Sequence, residues 1–153
     1  IVEIESINEE IFTPVSGEVH PISEIKDEVF ASQSMGQGVY IVPKDNNIYA
    51  PFDGEVVMVA NTKHAIGLKS EHGVEILIHV GMDTVELNGE GFQVFVEPEE
   101  KVKKGQKLMT FDSAFIRNKG YSLDIPVVCT NGLDIQMNHN THADLSEVLF
   151  TTM

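Results

Sequence analysis

The chain has 153 residues, 42% of them apolar, and a net charge of −14 from 24 acidic and 10 basic side chains. That length can bury a core without a disulfide or metal staple, and the composition is too apolar for a disordered chain. The acidic balance excludes the clustered positive charge by which nucleic-acid binders displace counterions, and it disfavours an anionic membrane surface. The single cysteine, Cys129, excludes an internal disulfide framework and fits a reducing cytosol, so a cytoplasmic location is expected. No apolar run approaches the roughly 20 residues that span a bilayer, so no membrane insertion is expected. Ile1 in place of a methionine suggests a processed, trimmed or excised chain, and the first residues do not read as a basic-then-apolar leader.

In chain order, the first signal is a repeat. Ile11-Phe12-Thr13-Pro14-Val15-Ser16-Gly17-Glu18-Val19 lines up with Ile48-Tyr49-Ala50-Pro51-Phe52-Asp53-Gly54-Glu55-Val56. In each copy an apolar-aromatic pair precedes Pro, and Gly then completes a tight turn into an alternating strand. Two copies are too few for a solenoid and read as two similar corners of one β-sandwich. Segments 38–42, 54–60, 65–70, 74–80, 92–96 and 122–129 are rich in β-branched and aromatic residues, with Gly, Pro, Asn and Asp between them. Brief helical turns are expected at 22–25, 83–85 and 144–148. One all-β domain, an antiparallel β-sandwich over residues 1–153 with its core at about 11–150, is the expected fold.

The densest stretch runs from Thr62 to Gly81. Glu71-His72-Gly73 is a turn, and a three-residue loop with Gly73 in the left-handed region pairs Ile66 with Ile78, Leu68 with Ile76 and Lys69 with Glu75. This register brings His64 level with Val80, one step from His79. Strict alternation nevertheless sends His64 to the core face with Ile66, and His79 outward with Leu77. Either the chain kinks at Thr62-Lys63-His64, or the loop has two residues and the histidines lie directly opposite; the sequence is compatible with both. Leu77 beside His79 makes an apolar docking surface, unless a second sheet covers that face.

A neutral imidazole is a nucleophile near pH 7, and the nitrogen held by a hydrogen bond decides which one attacks. A backbone carbonyl near Gly81 accepting from Nδ1 of His79 would leave Nε2 free to attack phosphorus. His64 would then stabilise the phosphoryl oxygens, with its tautomer fixed by the Thr62 hydroxyl. Phosphoryl transfer needs mostly positioning and charge stabilisation, so neither a metal nor a cofactor is required.

These residues resemble a known family. Gly73-Val74-Glu75-Ile76-Leu77-Ile78-His79-Val80-Gly81-Met82-Asp83-Thr84-Val85 is similar to the phosphorylation-site signature of the glucose-specific enzyme IIA of the bacterial phosphoenolpyruvate-dependent sugar phosphotransferase system. The likeness continues through Glu86-Leu87-Asn88-Gly89-Glu90-Gly91-Phe92 and Val102-Lys103-Lys104-Gly105, and upstream through Ala50-Pro51-Phe52-Asp53-Gly54 and Asn61-Thr62-Lys63-His64-Ala65. The resemblance implies a β-sandwich with a shallow apolar depression around two histidines. It implies phosphorylation of His79 at Nε2, support from His64, and orientation of His64 by Thr62. The implied donor is the phosphohistidine of the phosphocarrier protein HPr, and the implied acceptor a cysteine on the IIB domain of a sugar permease. Asp27 and Asp83 match carboxylates expected to meet partner arginines, which gives the acidic composition a local meaning. Val29, Met35, Leu77 and Val85 match the apolar rim, although Ser34, Ala60 and Leu77 stand where larger groups are usual. A monomer is expected.

Other readings have less support. A zinc hydrolase on a related sandwich would need three protein ligands, and its His-x-His spacing is missing. A lipoyl or biotinyl carrier is suggested by Val102-Lys103-Lys104-Gly105-Gln106-Lys107-Leu108, but lacks the Met-Lys-Met hairpin. A purely regulatory module would lose nothing when His79 became Gln. His20 is expected to be structural, His72 a solvated turn residue, His139 and His142 members of a polar loop, and Cys129 inert packing.

Overall fold

The computed structural model describes residues 7–138 and 141–153. In chain order the described strands begin with β1 (Glu10–Phe12) and β2 (Gly17–Pro21), followed by a short helix α1 (Glu28–Ala31). Then come β3 (Gln37–Pro43), β4 (Asn47–Tyr49), β5 (Gly54–Val59), β6 (Ala65–Ser70) and β7 (Glu75–His79). After β8 (Phe92–Val94), β9 (Lys101–Val102) and β10 (Lys107–Phe111), a second helix α2 (Ser113–Asn118) precedes β11 (Ile125–Cys129). The strands β12 (Ile135–Met137), β13 (His142–Ala143) and β14 (Val148–Thr152) close the order.

The strands form one eight-stranded sheet in the order β13-β2-β3-β11-β7-β6-β5-β9, with two three-stranded sheets, β1-β14-β12 and β4-β10-β8. Every paired neighbour is antiparallel. The inner face of the large sheet offers Val39, Ile41, Val56, Ile66, Leu68, Ile76, Ile78, Ile125 and Val127. Ile11, Ile48, Leu108, Phe111 and Phe150 of the small sheets join them in one core. This is the expected antiparallel β-sandwich.

The repeat has a structural meaning: the two copies grip each other. Phe12 N donates to Pro51 O at 3.2 Å, and Tyr49 N donates to Pro14 O at 2.8 Å. Each corner then opens a strand with a glycine pressed against the next strand. A side-chain carbon at Gly17 would fall 2.1 Å from Val42 O, and one at Gly54 would fall 2.1 Å from Lys69 O.

The β6–β7 hairpin adopts the three-residue loop. Ala65 faces His79, Ile66 faces Ile78, Leu68 faces Ile76 and Lys69 faces Glu75, with Gly73 at φ +97°. Of the expected helical turns, 22–25 and 83–85 correspond to 3-10 helices at Ile22–Glu24 and Thr84–Leu87. The third is corrected: 144–148 is a turn running into β14, tied by Glu147 N to Asp144 O at 3.0 Å. The expected strand 122–129 starts only at Ile125, because the amides of Gly81 and Met82 take the carbonyls of Asp124 and Ser122 outside the ladder.

Candidate functional site

His79 is the last residue of β7, and alternation along Glu75–His79 sends its side chain outward beside Leu77 while Ile76 and Ile78 enter the core. His64 reaches the same face because the chain kinks before β6. Ala60 N donates to Ala65 O and Lys63 N to Ala60 O, at 3.0 and 2.8 Å. Lys63 takes φ +63°, a left-handed turn that swings His64 out of strand alternation. The two rings then meet edge to face, their centroids 4.7 Å apart. Of the two routes open from sequence, the kink is the one the chain takes.

Each imidazole is held at Nδ1. His79 Nδ1 lies 2.8 Å from the carbonyl oxygen of Gly81. A carbonyl only accepts, so Nδ1 carries the hydrogen and the neutral ring keeps its lone pair on Nε2. His64 Nδ1 lies 2.8 Å from Thr62 Oγ1. Burial pushes the pKa of His64 down to about 4, helped by its neighbour His79 and opposed by hydrogen bonding at Thr62. The pKa of His79 is also lowered, by burial first, against the raising effects of the Gly81 carbonyl and the carboxylates of Asp27 and Asp83. Both rings are therefore neutral near pH 7, the form in which a ring nitrogen is a nucleophile.

The outward face is covered in part, and not by a second sheet. Ile22, Ile25, Phe30, Met82 and Val128 form a small cluster there, against which Ala31, Tyr40 and Leu77 pack. Asp27 builds the edge of this cover: its Oδ1 accepts from Phe30 N at 3.1 Å and caps α1. Phe30 in turn places its ring edge-on to His79, with centroids 5.2 Å apart. Val29, Met35 and Val85 stay 56%, 38% and 48% exposed. Asp83 is exposed in the left-handed region at φ +60°, where it opens the 3-10 turn Thr84–Leu87.

Three neighbours escaped the sequence reading. Phe30 was signalled by Asp27 three residues earlier, an N-cap spacing. Thr84 is fully buried and donates to the Val80 carbonyl at 2.6 Å. Met58 comes outward through a bulge between Val56 and Met58, lies over Gly67, and is 41% exposed. Val128 pairs Leu77, Leu77 pairs Gly67, and Gly67 pairs Met58, so Met58 extends the apolar row outward from Leu77. Ser34 supplies no apolar surface; its hydroxyl donates to Val29 O at 2.9 Å and secures the end of α1.

The other histidines stand apart. His20 stacks on Tyr40 at 5.0 Å between centroids, and His72 is an exposed turn residue. His142 Nε2 lies 2.8 Å from Asp144 Oδ1, while His139 falls outside the described residues. Cys129 is buried, 3.1 Å from Asn131 Oδ1, and burial raises its pKa. Among the described residues no group of three or more His, Cys, Asp or Glu side chains is arranged to hold a metal, and no helix is long and apolar enough to cross a membrane. The Lys103-Lys104-Gly105 turn is exposed, but Lys104 Nζ rests 3.8 Å over the Phe12 ring. A cavity of about 460 Å³ lies at the other end of the β6–β7 hairpin, against Lys69, Glu71 and Gly73. Of the pair itself, His79 is half-buried and His64 buried.

Comparison with known proteins supplies a context for this arrangement. Residues 9–135 match the family described as phosphoenolpyruvate-dependent sugar phosphotransferase system, EIIA 1. The "PTS system glucose-specific EIICBA component" of Staphylococcus saprophyticus subsp. saprophyticus is 49% identical over 139 residues. That alignment takes in 90% of this chain and 20% of the relative, so the chain spans about a fifth of the relative's length. The solved structure titled "Glucose permease IIA from Mycoplasma capricolum" superposes with a TM-score of 0.89 at 34% identity, covering 98% of this chain and 99% of that one.

Proposed function

Since the chain belongs to the EIIA 1 family of the phosphoenolpyruvate-dependent sugar phosphotransferase system, we propose that it is a phosphoryl carrier for glucose-type sugar uptake. It takes phosphate from phospho-HPr on Nε2 of His79 and passes it to a cysteine of a permease IIB domain. The observation that carries this reading is the 2.8 Å contact from His79 Nδ1 to the Gly81 carbonyl, which leaves Nε2 as the ring's free nucleophile.

In the transfer, the Nε2 lone pair forms the new N–P bond as the donor's N–P bond breaks, and Nδ1 keeps its hydrogen throughout. His64, with Thr62 donating to its Nδ1, turns an Nε2–H toward the phosphoryl oxygens and stabilises their charge. The 4.7 Å spacing of the rings supports that division of labour. Asp27 and Asp83 flank the site and attract basic groups on either partner. Val29, Met35, Leu77 and Val85 form the apolar docking rim, and Met58 joins them. Positioning and electrostatics suffice for such a reaction, so it needs no resident metal.

Incubation with enzyme I, HPr and phosphoenolpyruvate labelled in its phosphoryl group is expected to label His79 with a group that is stable in base and labile in acid. His79→Gln is expected to abolish labelling. His64→Gln is expected to accept label and pass it to IIB about 100-fold more slowly, the scale of one lost electrostatic donor. Label that survived acid and left in base would contradict the phosphohistidine. Normal sugar-system function with His79→Gln would point to a purely regulatory module instead.

A further inference from the structure

We infer that Thr84 is a positioning residue for His79, acting through the backbone carbonyl that fixes the ring. The functional half of this inference rests on the phosphocarrier reading; the geometric half stands apart from it.

Two successive peptide groups follow β7, and both are pinned. The Val80–Gly81 group has its carbonyl held by Thr84 Oγ1 at 2.6 Å and its N–H by Asp124 O at 3.1 Å. The Gly81–Met82 group gives its N–H to Ser122 O at 3.1 Å and its carbonyl to His79 Nδ1 at 2.8 Å. Gly81 joins them at φ +80°, and a side-chain carbon there would fall 2.5 Å from Thr84 Cγ2 and 2.8 Å from Ser122 O. The threonine thus contributes twice. Its methyl fills the space beneath Gly81, and its hydroxyl stops the first peptide group from rotating. Since the peptides share the Gly81 α-carbon, rotation of the first would turn the second and carry its carbonyl away from Nδ1. Thr84 is fully buried, so water cannot replace the hydroxyl. Nothing in this chain of contacts brings Thr84 to the phosphoryl group, and its influence on transfer passes through the tautomer of His79.

The test separates shape from hydrogen bonding. Thr84→Val keeps the branched shape and removes the donor, whereas Thr84→Ser keeps the donor and removes the methyl. Two-bond proton–nitrogen spectra of the labelled chain above pH 7 read directly which ring nitrogen of His79 carries the hydrogen. The parent chain and Thr84→Ser are expected to show Nδ1–H. Thr84→Val is expected to gain the Nε2–H form and to accept phosphate from phospho-HPr about tenfold more slowly, the rate equivalent of one hydrogen bond. If Thr84→Val does not fold, judged by its amide spectrum, Thr84→Ala read against Thr84→Ser carries the same contrast. An unchanged Nδ1–H signal with the parent's acceptance rate in the donor-less variant would overturn the role of Thr84. A parent chain that shows Nδ1–H yet takes no phosphate would overturn the carrier reading, leaving Thr84 to be judged on the ring signals.

Discussion

His64 shows how a single side chain links packing to acid sensitivity. It is buried and its pKa is lowered from 6.5 to about 4, chiefly by loss of solvent. The unfolded chain therefore binds a proton between those values that the folded chain refuses. The contribution to stability is fully present above pH 6.5 and disappears as pH falls toward 4. Its ceiling is about 3 kcal/mol, because each tenfold loss of proton affinity is worth roughly 1.4 kcal/mol. Urea midpoints measured from pH 7 to pH 4 should fall steeply for the parent and less steeply for His64→Gln. Some slope should survive in that variant, since the pKa of His79 is lowered as well. An equal slope in both proteins would show that His64 is not neutral and buried as described. At this scale the sequence was informative about which histidines meet and silent about how. The charges of Lys69 and Glu75 and the glycine at position 73 fixed the pairing. A lysine at φ +63° carries no such mark, because the left-handed region is normally announced by Gly, Asn or Asp.

Among the elements, the two Pro-Gly corners bind each other and bring their strands close to the neighbouring ones. Each glycine leaves no room for a side chain against the neighbouring carbonyl, so the close approach is a matter of space rather than of unusual φ. Gly17→Ala and Gly54→Ala are both expected to destabilise the fold by about 1–3 kcal/mol, the cost of overpacking a site that cannot yield. Chemical denaturation would read this as a lower midpoint with unchanged slope. A neutral result at either glycine would mean that the adjoining strand moves aside freely. The repeat was visible in the sequence because turn chemistry is local. The mutual grip of its copies was not visible, since Phe12 to Pro51 and Tyr49 to Pro14 are contacts across the fold. For the same reason the cover over Leu77 could be imagined only as a sheet, when it is the 3-10 turn Ile22–Glu24 and helix α1. Helix α2 went unread although Asp112 accepts from Phe115 N at 3.0 Å, a capping pattern that the sequence does contain.

Over the whole molecule, a net charge of −14 favours long-range attraction to a basic partner, and in the carrier reading Asp27 and Asp83, both near enough to His79 to raise its pKa, aim it. In the carrier reading, the rate of phosphoryl transfer from HPr at limiting concentration should fall as salt shortens the screening length from roughly 10 Å at 0.1 M to about 3 Å at 1 M. Replacing Asp27 and Asp83 by Asn should lower the rate and flatten that salt dependence. Surface acids far from the histidines, such as Glu147, should matter much less. A salt dependence untouched by the double replacement would assign the steering to the remaining acids. Charge balance was legible from composition, but the placing of two carboxylates near His79 depended on where the chain at Asp27 and Asp83 leaves them.

The contact between His79 Nδ1 and Gly81 has one more consequence. A carbonyl makes the same demand on the ring whether or not anything is attached at the far nitrogen. In the carrier reading, cargo arriving at Nε2 leaves the anchored side of the imidazole untouched, so the empty and laden forms can share one backbone. Such a relay has no return stroke to complete between deliveries, and passing the load backward needs no more rearrangement than passing it on.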